Sequence, residues 1–294
     1  MRVFVRVAER RSFAQAAQDL ALPRSRVSEL VQQLEKHLGV RLLTRTTRQV
    51  APTAEGEEYC RRCLAILADI DAADEAVTRS VPAGPLRINV HGTFARHFLL
   101  PRIPEFLALY PNIGLHVGES DRLVDLVGEG IDCVIRVGEP DDSGLIGRRL
   151  GLLHEGTFAS PGYLQRHGVP RSPDDLEGHR MIAFVSSRTR AVIPLEFQTG
   201  EAVRKITLPV SVTVNAADTM ACLAVHDMGL IQVPRYRLAA ELRTGAVMEV
   251  LAACRPSPSP VYLLHPEGRL VSTRARAFMD WAAPMLTARL AAPQ

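Results

Sequence analysis

The chain has 294 residues, 47% of them hydrophobic, with five cysteines and a formal net charge of +3. This length exceeds one ordinary core, so we expect one small and one large domain, or three small units, and the hydrophobic share excludes a disordered chain. No apolar run of about 18 residues occurs, so no membrane span is expected. The opening residues, MRVFVRVAERRSF, lack the apolar core of a secretory signal, and five cysteines without framework spacing are typical of a reducing cytoplasm.

The positive charge is concentrated at the N-terminus. Residues 1–52 hold ten Lys and Arg against four Asp and Glu, whereas residues 53–294 hold 25 against 28. Many solvated protein surfaces are basic, so the asymmetry alone is weak. A small basic unit before a large, slightly acidic remainder nevertheless favours a polyanion as partner of the first unit.

Three short helices are predicted in this basic unit. The first covers residues 2–9, and the second, FAQAAQDLA, follows Ser12 as a plausible N-cap. The third runs from Pro23, which suits a first turn, to Gly39, which suits a helix end. Its apolar residues recur at helical spacing and predict a buried face, namely Val27, Val31, Leu34 and Leu38.

Hydrogen-bond donors crowd the start of the third helix. Two short helices joined by a tight turn form a helix-turn-helix, in which the N-terminal residues of the second helix meet base edges in the major groove. The next stretch, VRLLTRTTRQVAPT, reads as a hairpin with a basic tip that resembles a wing. An ordinary surface helix is the alternative. The candidate DNA-contacting residues are Ser12, Arg24, Ser25, Arg26, Ser28, Gln32, Arg45, Thr46 and Arg48.

Residues 2–56 resemble the winged helix of LysR-type transcriptional regulators. The matching segments are SFAQAAQDL, RVSELVQQLEKHLGVRLLTRTTRQV and PTAEG, in the usual order and spacing. Family members usually carry several more residues before the first helix, so either that helix frays or the native start lies upstream. Glu29 stands where relatives often have a basic residue, and its carboxylate would repel phosphate or accept from a cytosine amino group.

A long helix is predicted over residues 54–80, between a winged-helix domain at 1–53 and a hinge, SVPAGPL. Apolar residues follow a heptad seam, with candidate dimerisation residues Tyr59, Cys63, Ile66, Ile70 and Val77. A helix packed on its own domain is the alternative. The resemblance implies an antiparallel coiled coil between two subunits, hence a homodimer or homotetramer on double-stranded DNA. Cys60 and Cys63 form a lone C-x-x-C, for which a metal site is the minor reading.

Strand and helix patterns alternate after the hinge and predict an α/β domain over 85–294 with mainly parallel strands. This region resembles the periplasmic-binding-protein-like effector domain of the same regulators. The resemblance implies two Rossmann-like subdomains with a cleft between them, subdomain I at about 85–159 and 264–290 and subdomain II at about 160–263.

Residues at predicted element ends mark the cleft. Thr93 follows a strand and opens a helix, where a hydroxyl and free N–H groups favour an anion, and relatives often use this position for the effector. Simple helix caps are the alternative for Thr93, Ser120 and Asp218. A carboxylate effector is the candidate, although Asp218 would repel it and favours a hydroxyl or amine ligand unless it points away. The candidate effector-binding residues are Thr93, Phe94, Ser120, Arg136, Asp218 and Thr219.

No catalytic motif is present: G-x-S-x-G, H-E-x-x-H, G-x-x-x-x-G-K-[ST] and G-x-G-x-x-G are absent from the sequence. We therefore expect no enzyme, no cofactor and no metal. The resemblance implies a cytoplasmic, homo-oligomeric transcriptional regulator that binds DNA and a small-molecule effector. The alternative from another class is a solute-binding receptor, which would need neither the first 80 residues nor DNA.

Overall fold

The computed structural model describes the chain except residues 46–49, 79–80, 120–125, 127, 141–143, 188, 201, 269 and 293–294. The predicted N-terminal unit is a winged helix followed by a long helix. Its elements are α1 (Arg2–Arg10), α2 (Phe13–Asp19), α3 (Arg24–Leu38), β1 (Leu43–Arg45), β2 (Val50–Pro52) and α4 (Ala54–Thr78). Among the described residues, no helix is both long and apolar enough to cross a bilayer.

Local rules set the helix ends of the winged helix. The Ser12 hydroxyl accepts the backbone N–H of Gln15 and begins α2, as predicted. Gly39 ends α3 with φ +69°, a left-handed conformation that glycine adopts without strain. Val27 and Val31 are fully buried, but Leu38, which we expected on the same buried face, is 38% exposed. Leu38 lies in the last turn of α3, beyond the edge of the winged-helix hydrophobic core.

The wing is joined closely to α3 and α4. The Glu35 carboxylate accepts the backbone N–H groups of Leu42 and Leu43 at 2.9 and 3.1 Å, which places the strand at the end of the helix. A Cβ added at Gly56 would lie 1.9 Å from the Leu42 carbonyl oxygen, so only glycine allows α4 to pass this strand. Thr53 accepts the Gly56 N–H at 2.9 Å, which explains the Thr-x-x-Gly motif.

The remaining chain forms two lobes. In chain order their elements begin with β3 (Gly84–Val90), α5 (Gly92–Phe94), α6 (Ile103–Leu109), β4 (Ile113–Glu119), β5 (Cys133–Val137), β6 (Leu145–Leu153), β7 (Glu155–Ala159), α7 (Pro161–His167) and β8 (Met181–Phe184). They continue with β9 (Leu195–Thr199), β10 (Ala202–Ile206), β11 (Val210–Val214), α8 (Ala217–Ala224), β12 (Ile231–Pro234), α9 (Ala239–Thr244), β13 (Met248–Val250), β14 (Ser259–Pro266) and α10 (Thr273–Ala291).

The first lobe is built on a five-stranded sheet in the order β4-β3-β5-β14-β6, whose core packs against α10 and the helical segment after β3. The second lobe contains the sheet β12-β7-β13 and the pair β8-β11. Strand β7, which we expected in subdomain I, therefore belongs to the second lobe, and β14 lies wholly in the first. The chain crosses between lobes near 154 and 258, a few residues before the predicted boundaries, because both strands pair within the lobe they enter.

The prediction of mainly parallel strands is wrong. Strand β3 pairs in parallel with β4 and β5, and β8 with β11, but the other described ladders are antiparallel. Strand β14 accounts for the antiparallel pairing in the first lobe. It returns directly from the second lobe and inserts between β5 and β6, running against both, so no crossover helix is needed.

Candidate functional site

One face of α3 is open to solvent and rich in donors. Arg24, Ser25, Arg26 and Gln32 are exposed, opposite the buried valines, and Ser28 is half-buried. Arg26 forms an exposed ion pair with Glu29, 3.2 Å between Nη1 and Oε2. An exposed pair of this kind is weak, so the guanidinium can exchange its partner for phosphate or a base.

Ser12 and the wing lie beside this face of α3, and the structure describes only part of the wing. Ser12, half-buried, caps α2 with its oxygen, and a capping hydroxyl can still donate its proton to phosphate. Arg45 ends β1, paired with Val50 of β2, as expected at the start of a wing. Thr46 and Arg48, predicted at the wing tip, lie outside the described residues.

The predicted seam on α4 divides into two parts. Cys63 is buried in the winged-helix core, and the Tyr59 ring lies 5.7 Å from that of Phe4. These two residues were wrongly assigned to a subunit interface, because the start of α4 packs on its own domain. Ile66 and Ile70 are 44% and 46% exposed, and the side chain of Val77 lies outside the described part.

The thiols of the C-x-x-C pair have the raised pKa values of packed, partly or fully buried cysteines. Burial raises the pKa of the Cys60 thiol to about 11, with the Glu9 carboxylate adding to the effect, and burial also raises the pKa of Cys63. Thiols of this kind stay protonated at neutral pH and make poor ligands and nucleophiles. Within the described ranges, no group of three or more His, Cys, Asp or Glu side chains is arranged to hold a metal ion.

A cleft of about 300 Å³ separates the two lobes. The first lobe contributes the end of β3 and the helix after it, and the second contributes the start of α8. The lining residues are His91, Gly92, Thr93, Arg96, Glu119, Asn215, Ala216, Ala217 and Asp218. Residues from the ends of strands and the starts of helices thus meet across the gap, as expected for a ligand site between α/β lobes.

Asp218 links the lobes through both of its carboxylate oxygens. The Thr93 hydroxyl donates to Oδ1, and the Arg96 guanidinium pairs with Oδ2. Arg96 also pairs with Glu119 at 2.7 Å. Asp218 is not the cap we considered, because α8 begins after Ala216 without a side-chain cap.

The guanidinium beside Thr93 belongs to Arg237, a residue that sequence reasoning missed. Arg237 Nη1 donates to Thr93 Oγ1 at 3.3 Å, and its Nη2 lies 3.2 Å from the His91 ring nitrogens. Arg136, predicted as an effector-binding residue, does not line the cleft. It extends from β5 and donates to Asn89 of the neighbouring strand at 2.8 Å.

A buried polar group lies beside Arg237. Tyr236 is buried against Phe98 of the first lobe. Burial raises the pKa of the Tyr236 phenol, and the Arg237 guanidinium opposes this shift. The carboxylates of Glu155 and Asp218 raise the same pKa further. Burial also raises the pKa of Glu155, which accepts the Ser259 hydroxyl at 2.7 Å. Among the described atoms, the Tyr236 hydroxyl and Arg237 Nε are buried without a hydrogen-bond partner.

Two other predicted cleft residues do not line the described cleft. Phe94 is fully buried in the first-lobe core, with its ring tilted against that of Phe98 at 4.7 Å, because its position in the helix points inward. Thr219 is exposed on α8 and does not line the cleft. Ser120 lies outside the described residues.

Comparisons with known proteins match both parts of the chain. The profile described as "Bacterial regulatory helix-turn-helix protein, lysR family" matches residues 1–57, and "LysR substrate binding domain" matches residues 79–286. The uncharacterised HTH-type transcriptional regulator YhjC of Escherichia coli is 38% identical over 97% of this chain and 96% of its own. An HTH-type transcriptional repressor of Pseudomonas aeruginosa is 37% identical, over 96% and 89%.

Solved structures agree with the fold. The structure of CrgA, a LysR-type transcriptional regulator from Neisseria meningitidis, is 30% identical and covers 99% of this chain and 97% of its own, with a TM-score of 0.61. The full-length structure of AphB, a Vibrio cholerae virulence activator, covers 95% and 96% at a TM-score of 0.61. At 23% identity it supports the fold alone.

Proposed function

The chain belongs to the LysR family of bacterial transcriptional regulators, and on that premise we propose that it reads operator DNA with α3 and responds to a carboxylate in the interlobe cleft. A DNA-binding domain joined to an effector-binding domain is the organisation of this family. The proposal assigns residues to each task. Since the protein acts on the chromosome, we place it in the cytoplasm.

The DNA-reading role rests on the two faces of α3. The Val27 and Val31 face is buried, so the opposite face, with Arg24, Ser25, Arg26 and Gln32, is the one a major groove can meet. Arginine pairs bidentately with guanine and glutamine with adenine, which gives these residue types the means to distinguish bases. Arg45, and Thr46 and Arg48 beyond it, are assigned to phosphate contacts from the wing.

Assembly is proposed to use the outer half of α4. Ile66 and Ile70 are large apolar residues left exposed one helical turn apart, and a second copy of α4 is the natural cover for them. A two-fold pair would present two winged helices to the two halves of a palindromic site.

The single observation that carries the effector role is the set of polar contacts across the cleft. Thr93 and Arg96 of the first lobe meet Asp218 and Arg237 of the second, so a ligand that enters must replace or extend interlobe bonds. Such a ligand binds one lobe arrangement more tightly than another, which is the condition for a regulatory effect. The change in lobe arrangement then reaches the paired winged helices of the two subunits through α4.

Fluorescence anisotropy with the full-length protein tests the DNA half of the proposal. The probe is a labelled duplex from the region upstream of the protein's own gene, and the control is a shuffled duplex of equal length and composition. We expect at least a thousandfold preference for the first at equal salt, the lower end of typical specificity ratios. Equal affinity for both duplexes would contradict sequence-specific recognition.

A further inference from the structure

We propose that Asp218 is a resident competitor of the effector: its carboxylate occupies the anion seat formed by Thr93 and Arg96, and a ligand carboxylate binds there only after displacing it. This inference rests on the proposed effector role of the cleft. It adds a mechanism, namely that the seat is filled by the protein itself until the ligand takes it.

The contacts of Asp218 are those a carboxylate ligand would make. One oxygen receives a hydroxyl proton from Thr93, and the other faces the Arg96 guanidinium. A hydroxyl and a guanidinium on separate oxygens satisfy a carboxylate from two sides. Because Asp218 belongs to α8 of the second lobe and both partners belong to the first, the same contacts hold the lobes together.

Arg237 determines whether Thr93 presents a hydrogen-bond donor or an acceptor to the seat. Its Nη1 donates to Thr93 Oγ1, so the Thr93 hydroxyl proton is directed away, toward Asp218. Thr93 therefore presents a donor, and whatever replaces Asp218 must be an acceptor. An amine would instead join Asp218 and leave it in place, so the geometry favours a carboxylate.

Displacement is within reach of a small molecule. The side chains of Arg96 and Asp218 are 50% and 51% exposed, and solvent screens such a half-exposed ion pair, so the pair is weak. Once Asp218 leaves, Arg96 keeps Glu119 as a partner, so the seat does not collapse around an isolated charge.

The consequence is a measurable penalty on ligand affinity. If Asp218 holds the seat in about nine molecules of ten, the competent fraction is about one tenth, and removing the competitor raises apparent affinity about tenfold. Release of Asp218 also breaks the link between α8 and the first lobe, so ligand binding and lobe rearrangement become one event.

The test measures binding of benzoate, with benzamide and benzylamine as neutral and cationic probes, to full-length wild type, Asp218→Asn and Asp218→Ala by calorimetry. Asp280→Asn, an exposed position on α10, is the control for net charge. We expect benzoate affinity to rise about tenfold in both Asp218 variants and less than twofold in the control, with no gain for benzamide.

Three results would overturn the inference. These are unchanged benzoate affinity in both Asp218 variants, an equal gain in Asp280→Asn, or tight benzylamine binding that is lost with Asp218. Circular dichroism establishes that each variant is folded. Anisotropy with the upstream duplex on the same samples, with and without benzoate, keeps the outcomes apart. Failure of competition leaves a benzoate-dependent change in DNA affinity in place, whereas failure of the proposed effector role removes that change.

Discussion

Arg237 Nη1 donates to Thr93 Oγ1 across the interlobe cleft at 3.3 Å, so a residue after β12 orients a hydroxyl of the opposite lobe. The two residues are 144 positions apart in sequence. This contact turns Thr93 into a donor toward the anion seat. The function of Thr93 therefore depends on the second lobe as well as on its own helix.

The first prediction concerns Thr93→Val, which keeps the side-chain shape and removes the hydroxyl. In wild type the change weakens both Asp218 and benzoate in the seat, so the net loss of benzoate affinity is small. In the Asp218→Ala background only the ligand is affected, and loss of a hydrogen bond to a charged group, about 1.5–3 kcal/mol, lowers affinity roughly 10- to 150-fold. Calorimetry on the four proteins of this double-mutant cycle measures the difference. Equal losses in both backgrounds would show that Thr93 does not serve Asp218 and the ligand at one seat.

The second prediction concerns the start of α3. Arg24→Ala or Arg26→Ala should weaken binding to the upstream duplex by about 1–3 kcal/mol if the arginine reads a base, with little effect on the shuffled duplex. If it contacts phosphate, both duplexes weaken and the salt slope falls by about one. Anisotropy titrations at several salt concentrations separate the two cases. Arg243→Ala, exposed on α9, removes the same charge far from α3 and serves as control; unchanged affinity in both α3 variants would refute the assignment.

The third prediction concerns assembly through α4. Ile70→Asp places a charge in the proposed apolar interface, where an unpaired buried carboxylate is strongly unfavourable. Light scattering should report smaller particles, and DNA affinity should fall because paired heads are lost. Ile193→Asp is the matched control, since Ile193 is 49% exposed on the second lobe. If Ile70→Asp is folded and keeps the wild-type mass, α4 pairs through another face or not at all.

Sequence rules succeeded where the cause is local. The ends of α3 and the cap of α2 follow from Pro23, Gly39 and Ser12, whose conformational preferences act within a few residues. Specific motifs then identified the family, and profile matches across both parts of the chain confirm it.

Contacts that depend on tertiary placement were harder to foresee. A heptad seam shows that residues share a face but not what covers it, so Tyr59 and Cys63 were assigned to a partner although their own domain covers them. Arg136 and Arg237 both lie at or just after strand ends. Which of them reaches Thr93 is decided by the orientation of the second lobe, and the Arg-Tyr-Arg stretch that follows β12 was the one available signal.

The last prediction concerns a buried histidine in the second lobe. His179 is 2% exposed, with Nδ1 3.2 Å from the Tyr163 hydroxyl, and the Tyr163 ring stacks on His167 at 4.4 Å. Burial lowers the pKa of His179, the nearby His167 lowers it further, and Asp175 opposes the shift. The folded state thus holds His179 neutral at pH values where the unfolded chain takes up a proton.

Stability should follow the sign of that shift. The contribution of neutral His179 is fully present above its unfolded pKa of about 6.5 and is lost as pH falls below it, by at most about 1.4 kcal/mol per pH unit. His179→Gln cannot titrate but retains a hydrogen-bonding group for Tyr163, so its unfolding free energy should fall less steeply between pH 7 and pH 5. Urea denaturation followed by circular dichroism at pH 7, 6 and 5 measures this, with the exposed His154→Gln as control. If His179→Gln loses stability toward pH 5 as steeply as His154→Gln, then His179 is not the group whose protonation destabilises the second lobe.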